Sequence, residues 1–79
     1  MNPRVIAVKP LDNYCIELIF TNQERRQFDV KPYLSIGLFQ ELRDKALFDG
    51  VQASLGSIYW PNELDLDPDR LYLESKPIN

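Results

Sequence analysis

Four acids stand at every second position directly after the only tryptophan: Glu63, Asp65, Asp67 and Asp69 follow Trp60-Pro61-Asn62. Carboxylates at that spacing could hold a hard cation, or work as an acid–base pair. The run Asp65-x-Asp67-x-Asp69 matches the first three ligand positions of a calcium-binding EF-hand loop. The rest of that loop is missing. Its sixth position needs glycine for a sharp turn and is Arg70; its twelfth needs a bidentate Glu and is Lys76. Read as structure, Glu63 and Asp65 are the wet side of an extended segment, Leu64 and Leu66 its buried side, and Asp67-Pro68-Asp69 the start of a helix. That reading accounts for every residue. Binding of a divalent cation or small ligand through residues 63–69 stands as the alternative.

Catalysis finds little support elsewhere. The chain has no histidine, the commonest general base and metal ligand, and its single cysteine, Cys15, rules out both a Cys/His zinc set and an internal disulfide. Cys15 reads as a small residue packed on a strand. The glycines at 37, 50 and 56 are isolated, so no phosphate-cradling loop exists, and Ser35, Ser54, Ser57 and Ser75 lack a base. The expectation is a protein without enzymatic activity, cofactor or metal.

The aromatic residues are the stronger lead. Tyr14, Tyr33, Tyr59, Trp60 and Tyr72 are more bulky amphipathic rings than a thin core can hide, and such rings are favoured at protein interfaces. Against this stands the plainer reading that Trp60 and two of the tyrosines are core, which weighs most for Trp60. The candidate docking set is Tyr59, Trp60, Asn62, Glu63 and Tyr72, with Asp65 and Asp69 steering a basic partner. A second copy of the chain is the other partner considered. Net charge is −3, with five bases against four acids in residues 1–31 and four against eight in 32–79. An acidic chain suits a phosphate backbone poorly, so direct nucleic-acid contact is not expected. An accessory DNA role would have to use Arg25, Arg26 and Lys31.

The elements that must position these residues read as one α+β domain over 1–79. Seventy-nine residues leave no room for a second core. Val5-Ile6-Ala7-Val8 is a strand closed by Pro10. Tyr14 to Phe20 alternates, with Tyr14, Ile16, Leu18 and Phe20 on one face; Arg25 to Val30 alternates again, with Arg26, Phe28 and Val30 together. Thr21-Asn22-Gln23-Glu24 joins them, with Asn22 as the residue suited to positive φ. These make a three-stranded antiparallel meander. From Ser35, a potential N-cap, the spacing of Leu38, Phe39 and Leu42 predicts a short helix. Another turn runs from Asp44 to Phe48, sending Ala46, Leu47 and Phe48 inward. Val51–Leu55 and Ser57–Trp60 read as two further short strands. A last helix from Asp67-Pro68 turns Leu71 and Tyr72 or Leu73 inward. Two or three short helices on one face of the sheet complete the outline. No apolar run is long enough to span a membrane and no signal peptide is evident, so the expected location is cytoplasmic.

Four runs occur in this order: Lys9-Pro10-Leu11-Asp12-Asn13-Tyr14, Phe28-Asp29-Val30-Lys31-Pro32-Tyr33-Leu34, Leu42-Arg43-Asp44-Lys45-Ala46-Leu47-Phe48, and Ile58-Tyr59-Trp60-Pro61-Asn62 through Asp65-Leu66-Asp67-Pro68-Asp69. Together they resemble the small bacterial family catalogued as domain of unknown function 2442, over roughly residues 4 to 77. The resemblance implies a compact α+β fold, fused in some members to a helix-turn-helix domain, with genes in toxin–antitoxin-like pairs. It carries no assigned catalytic or ligand residues. Two positions depart from its pattern: Gln23 and Glu63 stand where the family often has glycine. The function expected is a protein-interaction module, the neutralising half of such a pair or a homodimer.

Overall fold

The computed structural model describes residues 2–78. In chain order its main elements are β1 (Val5–Pro10), β2 (Cys15–Phe20), β3 (Arg25–Asp29), α1 (Lys45–Phe48), β4 (Gln52–Ser54), β5 (Ser57–Tyr59), β6 (Asp65–Leu66), α2 (Pro68–Glu74) and β7 (Lys76–Pro77). Two antiparallel sheets result, a larger one in the order β1-β2-β3-β7 and a smaller one in the order β4-β5-β6. This is a small α+β fold, and the meander lies where its alternation placed it.

Register explains the core. Val5 faces Phe20, Val8 faces Leu18, and Ile16 faces Phe28. One side of the larger sheet therefore presents a continuous apolar surface. A bulge between Val5 and Ala7 ejects Ile6 to solvent. The helices and the smaller sheet cover the apolar side, contributing Leu42, Phe48, Ile58, Trp60 and Leu71, each at most 1% exposed. A chain of ring contacts runs through this layer from Tyr14 to Phe48, Trp60, Phe39, Tyr33 and Phe28, at centroid spacings of 5.1 to 6.4 Å.

Several boundaries differ from expectation, each for a local reason. Tyr14 lies outside β2, because Asn13 and Tyr14 both take left-handed backbone, φ 67 and 57. Residues 37–43 form a 3-10 helix rather than an α-helix, and Ser35 does not cap it; Ile36 takes that place. Three residues per turn align Phe39 with Leu42 and leave Leu38 outside, 62% exposed. Asp44 caps α1 by accepting from the Ala46 N–H, but Ala46 itself faces solvent. The strand expected over Val51–Leu55 contracts to β4, since Leu55 and Gly56 form the two-residue hairpin loop with φ 52 and 84. The extended acidic segment, with Asp65 outward and Leu66 buried as its alternation places them, is β6, and it pairs with β5. One strand has no counterpart in the sequence reading: β7, which lies beside β3 at Arg26 and Gln27. Two residues ending in proline give no periodic signal.

Candidate functional site

The segment from Tyr59 to Asp65 is a hairpin. Trp60 N–H donates to Leu64 O at 2.8 Å and Glu63 N–H to Trp60 O at 2.9 Å, closing a three-residue turn of Pro61, Asn62 and Glu63. Glu63 carries the left-handed backbone, φ 69. The Asn62 amide oxygen accepts from Leu64 N–H, and its Nδ2 donates to Glu41 Oε1 at 2.8 Å. That last bond fastens the turn to the 3-10 segment. Pro61 packs so closely on Gly50 that a Cβ there would lie 2.7 Å from the ring.

The expected docking set separates into two groups. Trp60 belongs to the core: it is 0% exposed, and its indole N–H donates to Phe48 O at 3.1 Å. Its place on a docking surface is corrected accordingly. A ring that large beside a short strand is the natural plug of a thin core. Tyr72 is also an internal fastener. Half-buried, it donates from its hydroxyl to Glu24 Oε2 at 2.6 Å, meets Phe20 edge-on at 5.1 Å, and lies under the Arg26 guanidinium at 4.5 Å. Asn62 is half-buried and holds the turn. Tyr59, Glu63, Asp65 and Asp69 face solvent.

Tyr59 and Asp65 are register partners across β5 and β6, so their side chains stand together on the outer face of the smaller sheet. On the other flank Gln52 pairs with Tyr59 and accepts from its hydroxyl at 2.9 Å. The sequence reading missed Gln52 and Glu41. The first follows from counting the hairpin register out from Gly56; the second has no sequence signal.

The acids do not converge. Asp67, itself exposed, caps α2 by accepting from Asp69 N–H at 3.0 Å, while the Asp69 carboxylate contacts Asn2. Among the described residues no three His, Cys, Asp or Glu side chains gather as a cation site would require. The three bases that an accessory DNA role would use are each engaged within the fold. Arg25 bonds to Glu17, Arg26 to Glu24 and Ser75, and Lys31 to Asp29. Tyr72, and next Arg26, hold the Glu24 carboxyl below its ordinary range, while the Glu24 bond raises the Tyr72 hydroxyl. Hydrogen bonds from the backbone and ammonium of Lys31 outweigh desolvation at Asp29 and lower it likewise. Among the described residues no helix is long and apolar enough to cross a membrane.

Meander, capped final helix and Trp-Pro-Asn hairpin together define a small α+β domain whose outer surface, not an enclosed cleft, carries its distinctive groups. The chain belongs to the family described as protein of unknown function (DUF2442), whose model matches residues 5–77. No curated protein and no solved structure matches it.

Proposed function

We propose that this chain is a non-enzymatic protein-interaction module acting in the cytoplasm, and that a protein partner docks on the outer face of β4, β5 and β6. The observation that carries the reading is Tyr59, 40% exposed on a strand whose register partner is the exposed Asp65. Tyrosine buries much area on binding while fixing few torsions, which is why it recurs at interfaces. The fold supplies rigidity: both neighbours of Tyr59 in the chain, Ile58 and Trp60, are in the core. The family resemblance points to the neutralising half of a toxin–antitoxin-like pair as the biological setting.

The test compares wild-type chain with Tyr59→Ala as baits in extract of the native cell. Trp60 fluorescence confirms that both are folded. One protein retained at near-stoichiometric amount by the wild type and lost by the variant supports the reading. Equal retention by both, or no specific retention, overturns it.

A further inference from the structure

The four tyrosines are not treated alike by their own chain. Lys45 Nζ lies 5.5 Å from the Tyr14 ring centroid, and the Arg26 guanidinium lies 4.5 Å over Tyr72. The Tyr33 hydroxyl donates to Glu74 at 2.8 Å and also meets Arg70. Among the described residues no cation lies over the ring of Tyr33 or Tyr59, and of these two only Tyr33 bonds to a charged side chain; Tyr59 donates to the neutral Gln52. Among the described residues no base pairs with Asp65 beside Tyr59 or with Glu63 at the turn.

The Tyr72 arrangement shows what such a pair of groups accepts. There the Arg26 guanidinium covers the ring and reaches the Glu24 carboxylate at 2.8 Å, so one planar cation satisfies both the π-face and the anion. Tyr59 and Asp65 repeat the ring-and-carboxylate combination as cross-strand neighbours, where side chains stand about 5 Å apart. The Tyr59 hydroxyl is tethered to Gln52, which anchors the far end of the ring. We infer that this face takes an arginine side chain of the partner protein, its guanidinium lying on Tyr59 and donating paired N–H bonds to Asp65. The inference rests on the docking reading above.

Charge complementarity selects this occupant. Glu63 and Asp65 repel phosphate and so argue against nucleic acid. Arginine suits the pair better than lysine because its guanidinium is flat, weakly hydrated and able to bond a carboxylate through two donors at once.

The experiment is a ¹⁵N NMR titration of the full chain with a ten-residue Arg-Gly repeat peptide, with Lys-Gly and citrulline-Gly repeats alongside. The expected result is a shift pattern centred on Tyr59 and Asp65 for the Arg peptide, weaker binding of the Lys peptide and none of the citrulline peptide. Tyr59→Ala and Asp65→Asn should each weaken the Arg peptide about three- to tenfold, while Tyr59→Phe retains it. Absence of Arg-peptide binding, equal binding of the Lys peptide, or indifference to either variant overturns the inference. Self-association of the free chain that Tyr59→Ala abolishes also overturns it, by making the face a contact between copies. A natural partner lost by Tyr59→Ala but fully retained by Asp65→Asn removes the arginine and leaves the docking reading standing. A partner indifferent to Tyr59→Ala removes both.

Discussion

At the β2–β3 turn Gln23 N–H donates to Phe20 O at 2.8 Å and Phe20 N–H to Glu24 O at 3.0 Å; at the β5–β6 turn Glu63 and Trp60 make the same two bonds to Trp60 O and Leu64 O. Each turn begins on a fully buried aromatic residue, Phe20 or Trp60. Each has asparagine at its second loop position, with Asn22 Oδ1 accepting from Glu24 N–H at 3.1 Å and Asn62 Oδ1 from Leu64 N–H at 3.4 Å. Each then places a non-glycine residue in left-handed backbone, Gln23 at φ 71 and Glu63 at φ 69. The turns differ in where the acid falls. Glu24 occupies the position returning to the sheet, where Tyr72 and Arg26 reach it. In the second turn Leu64 holds that position, and the acids stand one residue to either side, facing solvent. A single shift along the loop decides whether a carboxylate braces the fold or is left for something outside it.

The largest effect should come from the aromatic residue that opens each turn. Trp60→Ala and Phe20→Ala should each cost about 3–5 kcal/mol, as removal of a large buried ring does. Total stability for a domain of this size is on the order of 5 kcal/mol, so both variants should be largely unfolded by circular dichroism at 25 °C. Tyr59→Ala, one residue from Trp60, should move the urea midpoint little. A Trp60→Ala protein with a near-native midpoint would break the assignment of that ring to the core.

The fastening of the first turn ranks second. Arg26 donates to Ser75 Oγ and Ser75 O, both at 2.7 Å, and its side chain is only 12% exposed. Arg26→Ala strips those bonds between β3 and the end of α2 and should cost about 2 kcal/mol in urea unfolding. Arg25→Ala, on the opposite and wetter face, should cost less than about 0.5 kcal/mol. The same fastening gives a pH signature. Glu24 titrates lower in the folded chain than when unfolded, so the unfolded state takes up its proton first as pH falls. Its contribution is present above the unfolded value of about 4.3 and is lost as pH drops through the lower folded value. Thermal melts of Glu24→Gln between pH 6 and 3 should show a shallower acid decline than wild type.

How much of this was legible follows from where sequence patterns are local. The meander was readable because β2 and β3 alternate over whole strands, and Asp67-Pro68 announced α2 through its cap. The 3-10 segment was not, because Leu38, Phe39 and Leu42 fit an α-helical face as well as a tighter one. The left-handed residue at Gly37, φ 49, opens the segment on the tighter path. On the outer face of the smaller sheet, Tyr59 and Asp65 were singled out as residues, but Trp60 was kept in the same set although the core was the weightier reading for it. Neighbours on a strand point to opposite sides, so an exposed Tyr59 implies an enclosed Trp60. What no pattern carried was the long-range pairing of Asn62 with Glu41 and of Arg26 with Ser75.

The smallest effect bears on Gln23 and Glu63, the left-handed residues of the two turns. Asparagine was expected to carry positive φ in the first turn because its side chain tolerates it, yet in both turns the residue after asparagine does so. The reason lies in the asparagine oxygen, which bonds two residues ahead and holds Asn22 and Asn62 in place as the turn's bracket. A left-handed non-glycine residue costs about 1 kcal/mol, whereas glycine occupies that region freely but gains entropy when unfolded. The difference should leave Gln23→Gly and Glu63→Gly each stabilised by about 0.5 kcal/mol in urea unfolding, with additive effects because the turns are built separately. Equal gains would confirm that the turns are equivalent as backbone. A gain at Gln23 with a loss at Glu63 would mean that the Glu63 side chain itself steadies the second turn, and its carboxylate would then belong to the fold and not to a partner.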